Sequence, residues 1–256
     1  DVKAAETPAI DPVHRGAVLS LVADPAGDGF LSGGDDGRLL RIARDGSATE
    51  LVNQKGKWID KLAAHRATGA VAASAGKMAL LLDKEGQVRE FGPHASTVAA
   101  VDFSKDGGRI AAAHYNGITI WSIGNVTLPP RKFAWAGSHV ALRWSTDGKF
   151  IATGTQENDI HVWRIAQATD MRMQGYPAKV KSLSWSADAR WLYTSSQPVF
   201  TAWPFAGKGP EGKPPLQFGD EGAGLITVVA AHPSAEFVAG GYDSGELQLG
   251  DIKNRR

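Results

Sequence analysis

At 256 residues, 43% of them hydrophobic and 21% charged, the chain can bury a large core and has the composition of an ordinary globular protein. Its 28 basic and 27 acidic residues leave a net charge of +1, so bulk electrostatics gives no reason to expect nucleic-acid or membrane binding. The absence of cysteine excludes disulfides, thiolate zinc sites, iron–sulfur clusters and thiol catalysis. No apolar run approaches the ~18 residues that cross a bilayer. Residues Asp1 to Pro12 lack the basic and apolar segments of a signal peptide. The first residue is not Met, so a trimmed N-terminus and the loss of an export signal with it stay open.

In chain order, residues 1–17 come first, and a strand at Ala4–Ile10 is expected to supply the outer strand that closes a ring. A repeated pattern follows. Its copies are Leu19–Gly34, a weaker one from Ile59, then Val98–Ala113, Val140–Thr155, Val180–Ser195 and Ile226–Gly241. The three copies from Val98, Val140 and Val180 share an apolar, two-spaced, aromatic–Ser sequence. A turn containing Asp follows, then a second apolar run ending in small residues. The anchors Val18, Ile59, Val98, Val140, Val180 and Ile226 lie 39 to 46 residues apart, the spacing of a propeller blade. Alternation supports strands: Val140, Leu142 and Trp144 fall on one face, Ala141 and Arg143 on the other. Third strands are predicted at Arg38–Ile42, Gln87–Phe91, Ile118–Trp121, Ile160–Trp163, Val199–Trp203 and Glu246–Asp251.

Three of these strands end in Trp: Trp121, Trp163 and Trp203. Here the chain resembles the WD-repeat family, over about residues 14 to 252. Its motifs are degenerate, the pairs being Trp121-Ser122, Trp163-Arg164 and Trp203-Pro204, while Gly250-Asp251 keeps only the Asp. The resemblance implies a single all-β propeller domain over residues 1–256, built from four-stranded antiparallel blades. Six repeats are visible; a seven-bladed parent is expected, with a closed six-bladed ring as the alternative. It also implies hydrogen-bonded His–Ser/Thr–Asp–Trp groups between strands. The first blade matches with His14, Ser32 and Asp36, but Ile42 stands at the Trp position. The third keeps His94 and Trp121 with Asn116 at the Asp position. The fourth keeps Thr153 and Trp163 with Glu157 in the turn. These groups are expected to be structural.

The resemblance implies a partner-binding face where the loops into each first strand and between second and third strands emerge. The residues before the anchors are Ala17, Trp58, Thr97, His139, Lys179 and Leu225; the turns add Asp35, Tyr115, Gln156, Gln197 and Tyr242. Trp58, Tyr115, His139, Lys179 and Tyr242 are the candidate contact residues, because aromatics give large contact area at low entropic cost. For Trp58, Tyr115 and Tyr242, packing against a neighbouring blade is the competing expectation. Two long connections, Gly124–Pro130 and Phe205–Gly224, carry turn residues. No catalytic motif and no metal-ligand spacing is found, and no cofactor is expected. The reading is therefore a non-catalytic, cytoplasmic scaffold for a protein or peptide partner, with no nucleic acid and no membrane. The alternative is a propeller hydrolase or lactonase with a channel metal, in which His94, His139 and an acid would converge.

Overall fold

The computed structural model describes residues 13–207, 209–222 and 224–256. The chain is an all-β propeller whose strands follow one another as antiparallel neighbours. The first sheet holds β1 (Val18–Ala23), β2 (Phe30–Gly34), β3 (Arg38–Ile42) and β4 (Ala48–Asn53); the second holds β5 (Ile59–His65), β6 (Ala70–Ala75), β7 (Met78–Leu82) and β8 (Val88–Phe91). The third has six strands: β9 (Ala100–Phe103), β10 (Arg109–Ser122), β11 (Arg131–Trp144), β12 (Phe150–Thr155), β13 (Ile160–Arg164) and β14 (Thr169–Met173). The fourth is β15 (Leu183–Trp185), β16 (Trp191–Thr194), β17 (Phe200–Pro204) and β18 (Leu216–Phe218). The fifth is β19 (Ile226–Ala231), β20 (Phe237–Tyr242) and β21 (Leu247–Asp251).

The expectation of six four-stranded blades from a seven-bladed parent is thus corrected: the described residues form five sheets, of three to six strands. The physical reason lies in β10 and β11, each 14 residues long. Neither stops where the repeat pattern predicts a turn. β10 passes through Tyr115–Gly117 with only a register shift, Asn116 adopting φ 68° and Gly117 φ 133°. A Cβ at Gly117 would lie 2.1 Å from the Phe133 carbonyl oxygen, so only glycine lets the two strands stay paired there. One hydrogen-bonded sheet therefore takes in the third and fourth repeats. It doubles over on itself, because Ile118 and Ile120 pack in one cluster with Leu142, Trp144, Ile151 and Trp163.

Two smaller corrections belong here. In the second repeat the third strand is Met78–Leu82, and the predicted third strand Gln87–Phe91 is the outer strand β8. The closing strand expected at Ala4–Ile10 lies outside the described residues. Among the described residues no helix is long and apolar enough to cross a membrane.

Sheet-to-sheet packing is apolar and continues from one sheet to the next. Leu31 and Leu39 pack with Ile59 and Leu80; Leu81 and Phe91 with Val101 and Ile110; Val162 with Trp185 and Trp203; Phe200 with Ile226 and Val238. Each such side chain contributes about 1.5–3 kcal/mol when buried. Polar ties reinforce the inner strands. Ser20 Oγ accepts the Leu62 N–H (3.1 Å), Asp102 Oδ2 that of Trp144 (2.8 Å) and Ser184 Oγ that of Ala231 (2.9 Å). The aromatic–Ser–x–Asp turns repeat one network: the hydroxyls of Ser104, Ser145 and Ser186 donate to Asp106, Asp147 and Asp188. Each Ser oxygen also accepts the N–H that opens the next strand, from Arg109, Phe150 or Trp191. That bonding is the physical content of the sequence repeat.

Candidate interaction face

Pairings Val18↔Gly34, Ile59↔Ala75, Ala100↔Ala113, His139↔Thr155, Leu183↔Thr194 and Ile226↔Tyr242 set the start of each inner strand beside the end of the second. The loops preceding the inner strands and following the second strands therefore emerge on one face. Trp58 precedes Ile59 and is 63% exposed; Tyr115 follows the paired part of β10 and is 52% exposed. Lys179 is exposed, its Nζ donating to Gln156 Oε1 at 3.4 Å.

His139 and Tyr242 do not join them. His139 is 1% exposed: its Nε2–H donates to the Trp135 carbonyl (3.1 Å) and its Nδ1 accepts from the Thr153 hydroxyl (2.8 Å). The unbroken strand β11 brings Trp135 back over the ring, which a separate loop before Val140 would not do. Tyr242 is 5% exposed. Its hydroxyl donates to the Pro198 carbonyl at 3.2 Å, and the long connection from Phe205 lies over its ring. Gly222 approaches so closely that a Cβ there would stand 2.1 Å from the ring.

The expected structural groups form in altered versions. In the first sheet, His14 Nδ1–H donates to Asp36 Oδ1 (3.0 Å) and Nε2 accepts from the Ser32 hydroxyl (2.6 Å). Burial alone would raise the Asp36 carboxyl; the N–H of Arg15, the imidazole of His14 and the N–H of Arg38 together hold it below the usual carboxylate range. In the third repeat, His94 Nδ1–H donates to the Lys77 carbonyl (2.9 Å) and Nε2 accepts the Trp121 indole N–H (3.1 Å). Asn116 stands apart, its Oδ1 accepting the Gly137 N–H (3.3 Å). Its left-handed φ turns it to the rim instead of into the strand interface.

In the fourth repeat, Thr153 bonds His139, and the Trp163 ring lies 5.4 Å from that imidazole. Glu157 is exposed; the buried acid of the turn is Asp159, held by the Thr155 hydroxyl and by the Arg172 guanidinium at 2.6 Å. Beside it His161 is fully buried, stacked on Trp135 at 4.0 Å, with neither nitrogen hydrogen-bonded. Burial pushes it down to about 4. In the fourth sheet, Tyr176 takes the histidine's place. Its hydroxyl bonds Thr194 Oγ1 (2.8 Å) and accepts the Trp203 indole N–H (2.7 Å). Sequence reasoning missed Tyr176, although a signal existed. It precedes its anchor Val180 by four residues, as His14 precedes Val18 and His94 precedes Val98.

Two clefts open near this rim. One, of about 520 Å³, is lined by Lys179, Lys181, Ser196, Leu225, Thr227 and Asp243, bringing together loops of the third, fourth and fifth sheets. The other, of about 300 Å³, lies under Tyr115 between β10 and β11. His94 and His139 do not converge: the neighbour of His94 is His114 (5.3 Å) and that of His139 is His161 (6.4 Å). Among the described residues no group of three or more His, Asp or Glu is placed to hold a metal ion.

Residues 85–122 and 132–164 match the family described as WD40, "WD domain, G-beta repeat". Over 96 residues, 37% of this chain, the sequence is 32% identical to "Actin-interacting protein 1" of Caenorhabditis elegans. The match spans 15% of that protein's length.

Proposed function

We propose that this chain, an all-β propeller with two stretches that match the WD40 family, is a non-catalytic scaffold whose rim face docks a protein or peptide partner. One observation carries the reading. Trp58, immediately before β5, and Tyr115, within β10 at its register shift, are both large and more than half exposed, on the same face as the exposed Lys179. Strand-fixed aromatics lose little conformational freedom on binding, so modest contact area supports useful affinity. The cleft of about 520 Å³, with Lys179, Lys181 and Asp243 around Leu225, supplies polar groups of both signs.

The relative's name makes actin the first partner to try, by co-sedimentation of the full chain with filaments. For whichever partner is captured, the double substitution Trp58→Ala/Tyr115→Ala is expected to weaken the measured affinity at least tenfold while leaving the melting temperature in place. Unchanged affinity would remove the rim from the binding surface.

A further inference from the structure

We propose that the cleft under Tyr115 is a receptor for a carboxylate side chain of an acidic peptide, gripped by Lys132 against an aromatic and aliphatic wall. Beside the register shift between Tyr115 and Gly117, where β11 carries extra residues, lies a cleft of about 300 Å³, the lower end of ligand-site volumes and room for one or two peptide side chains. Trp121, Phe133, Ile118 and two prolines, Pro93 and Pro130, make the wall. The fixed charge in the lining is a single cation, Lys132. Among the described residues no carboxylate lines the cleft and no acid pairs with Lys132. A pocket with one unneutralised ammonium and apolar walls is complementary to an anion on an apolar body.

The histidines stiffen the cleft without competing for the ligand. Both His94 nitrogens are committed, to the Lys77 carbonyl and the Trp121 indole. His114 bonds the Tyr115 carbonyl through Nδ1 (2.8 Å) and the Thr119 hydroxyl through Nε2 (2.8 Å). These side-chain bonds brace the cleft, and the Trp121 indole N–H, in its wall, reports on it directly. Lys132 and the Nδ2 amide of the exposed Asn116, whose Oδ1 accepts the Gly137 N–H, are left as the donors to meet a carboxylate.

This inference stands apart from the reading of the rim, because it can be tested with a peptide and no partner. The probe is N-acetyl-Leu-Glu-Leu-amide, with the Leu-Gln-Leu peptide as its uncharged counterpart, added to the full chain while the Trp121 indole N–H resonance is followed. The Glu peptide is expected to shift that resonance saturably and to bind about fivefold tighter than the Gln peptide. The Lys132→Gln variant, altered at an exposed position, is expected to fold normally and to abolish that preference. Equal binding of the two peptides, a preference that survives Lys132→Gln, or no shift with either peptide overturns the assignment. Binding of the Glu peptide in a Trp58→Ala variant, altered outside the cleft, that has lost its partner leaves the pocket standing while the partner maps to the rim.

Discussion

In the first sheet the group inserted between loop, second strand and third-strand turn is His14, bonded to Ser32 and to the carboxylate of Asp36. In the fourth sheet the corresponding group is Tyr176, bonded to Thr194 and the indole of Trp203. One network contains an anion and an imidazole; the other is neutral at every member. Both connect a loop four residues before the anchor to the second strand. The fold therefore specifies a place that needs a donor–acceptor between strands, and leaves the chemistry of the group free. What the choice does set is the direction in which each sheet is sensitive to pH. Asp36 is held below its usual range, so its contribution is present above the unfolded-state value near 3.8 and is lost as pH falls through the lower folded value. Burial pushes Tyr176 up to about 12 from 10.0, so its contribution is full below pH 10 and is lost as pH rises toward 12.

The sharpest break of the comparison is Tyr176→Phe. It keeps the ring and its packing but strips the buried Trp203 indole and Thr194 hydroxyl of their shared partner, at a cost of about 3 kcal/mol in the denaturant midpoint. The variant should also lose part of its stability decline between pH 10 and 12; Tyr193, likewise raised to about 12 by burial, keeps the remainder. An unchanged midpoint would show that Tyr176 is packing alone. Ser32→Ala in the first sheet should cost less, about 1.5 kcal/mol, because His14 retains Asp36 and loses only the acceptor contact at Nε2. Its loss should be the same at pH 10 as at pH 12, unlike that of Tyr176→Phe.

The same pair of sheets explains what the sequence made readable. Periodicity exposed the strands, since Val140, Leu142 and Trp144 or Leu183 and Trp185 share one face of a strand. The Ser–x–Asp turns were legible because the bonding is local, within five residues. His14, Ser32 and Asp36 were legible because their residue types match the family pattern, whereas Tyr176 fills the same place with a type that the pattern does not contain. Burial of rim residues was not legible. Tyr242 is covered by a connection that lies twenty residues back in the chain, and His139 by Trp135, across a stretch that reads as a turn but is paired strand. Sheet number failed for that last reason: repeat spacing measures how often the pattern returns, not whether a strand stops between two copies.

The third sheet extends the comparison to groups that are buried without adequate partners. His161 is lowered to about 4 from 6.5 by burial, so the folded state takes up fewer protons than the unfolded chain as pH falls through that window, and stability falls with it. His161→Phe keeps the stack on Trp135 and removes two buried nitrogens that make no hydrogen bond, Nε2 lying 3.6 Å from Asp170 Oδ1. It should gain about 1 kcal/mol at pH 7 and show a flatter decline from pH 6.5 to 4. A decline as steep as that of the parent would assign it to other groups.

Asp102 sets the smallest expected effect and the finest distinction. Burial pushes its carboxyl up, against the opposing influence of Arg143 and of the Trp144 and Phe103 N–H groups. A raised acid favours the protonated form in the folded state, so ionisation costs stability as pH rises through the folded value. Its value to the fold then lies in accepting the Trp144 N–H, which ties two inner strands, and not in its charge. Asp102→Asn keeps an acceptor oxygen and should be within about 0.5 kcal/mol of the parent at pH 7. Asp102→Ala, which leaves that N–H without a partner, should cost about 1–2 kcal/mol. If the two variants lose the same amount, the anion itself is required, and the inner strands depend on charge where the neutral Ser20 and Ser184 ties do not.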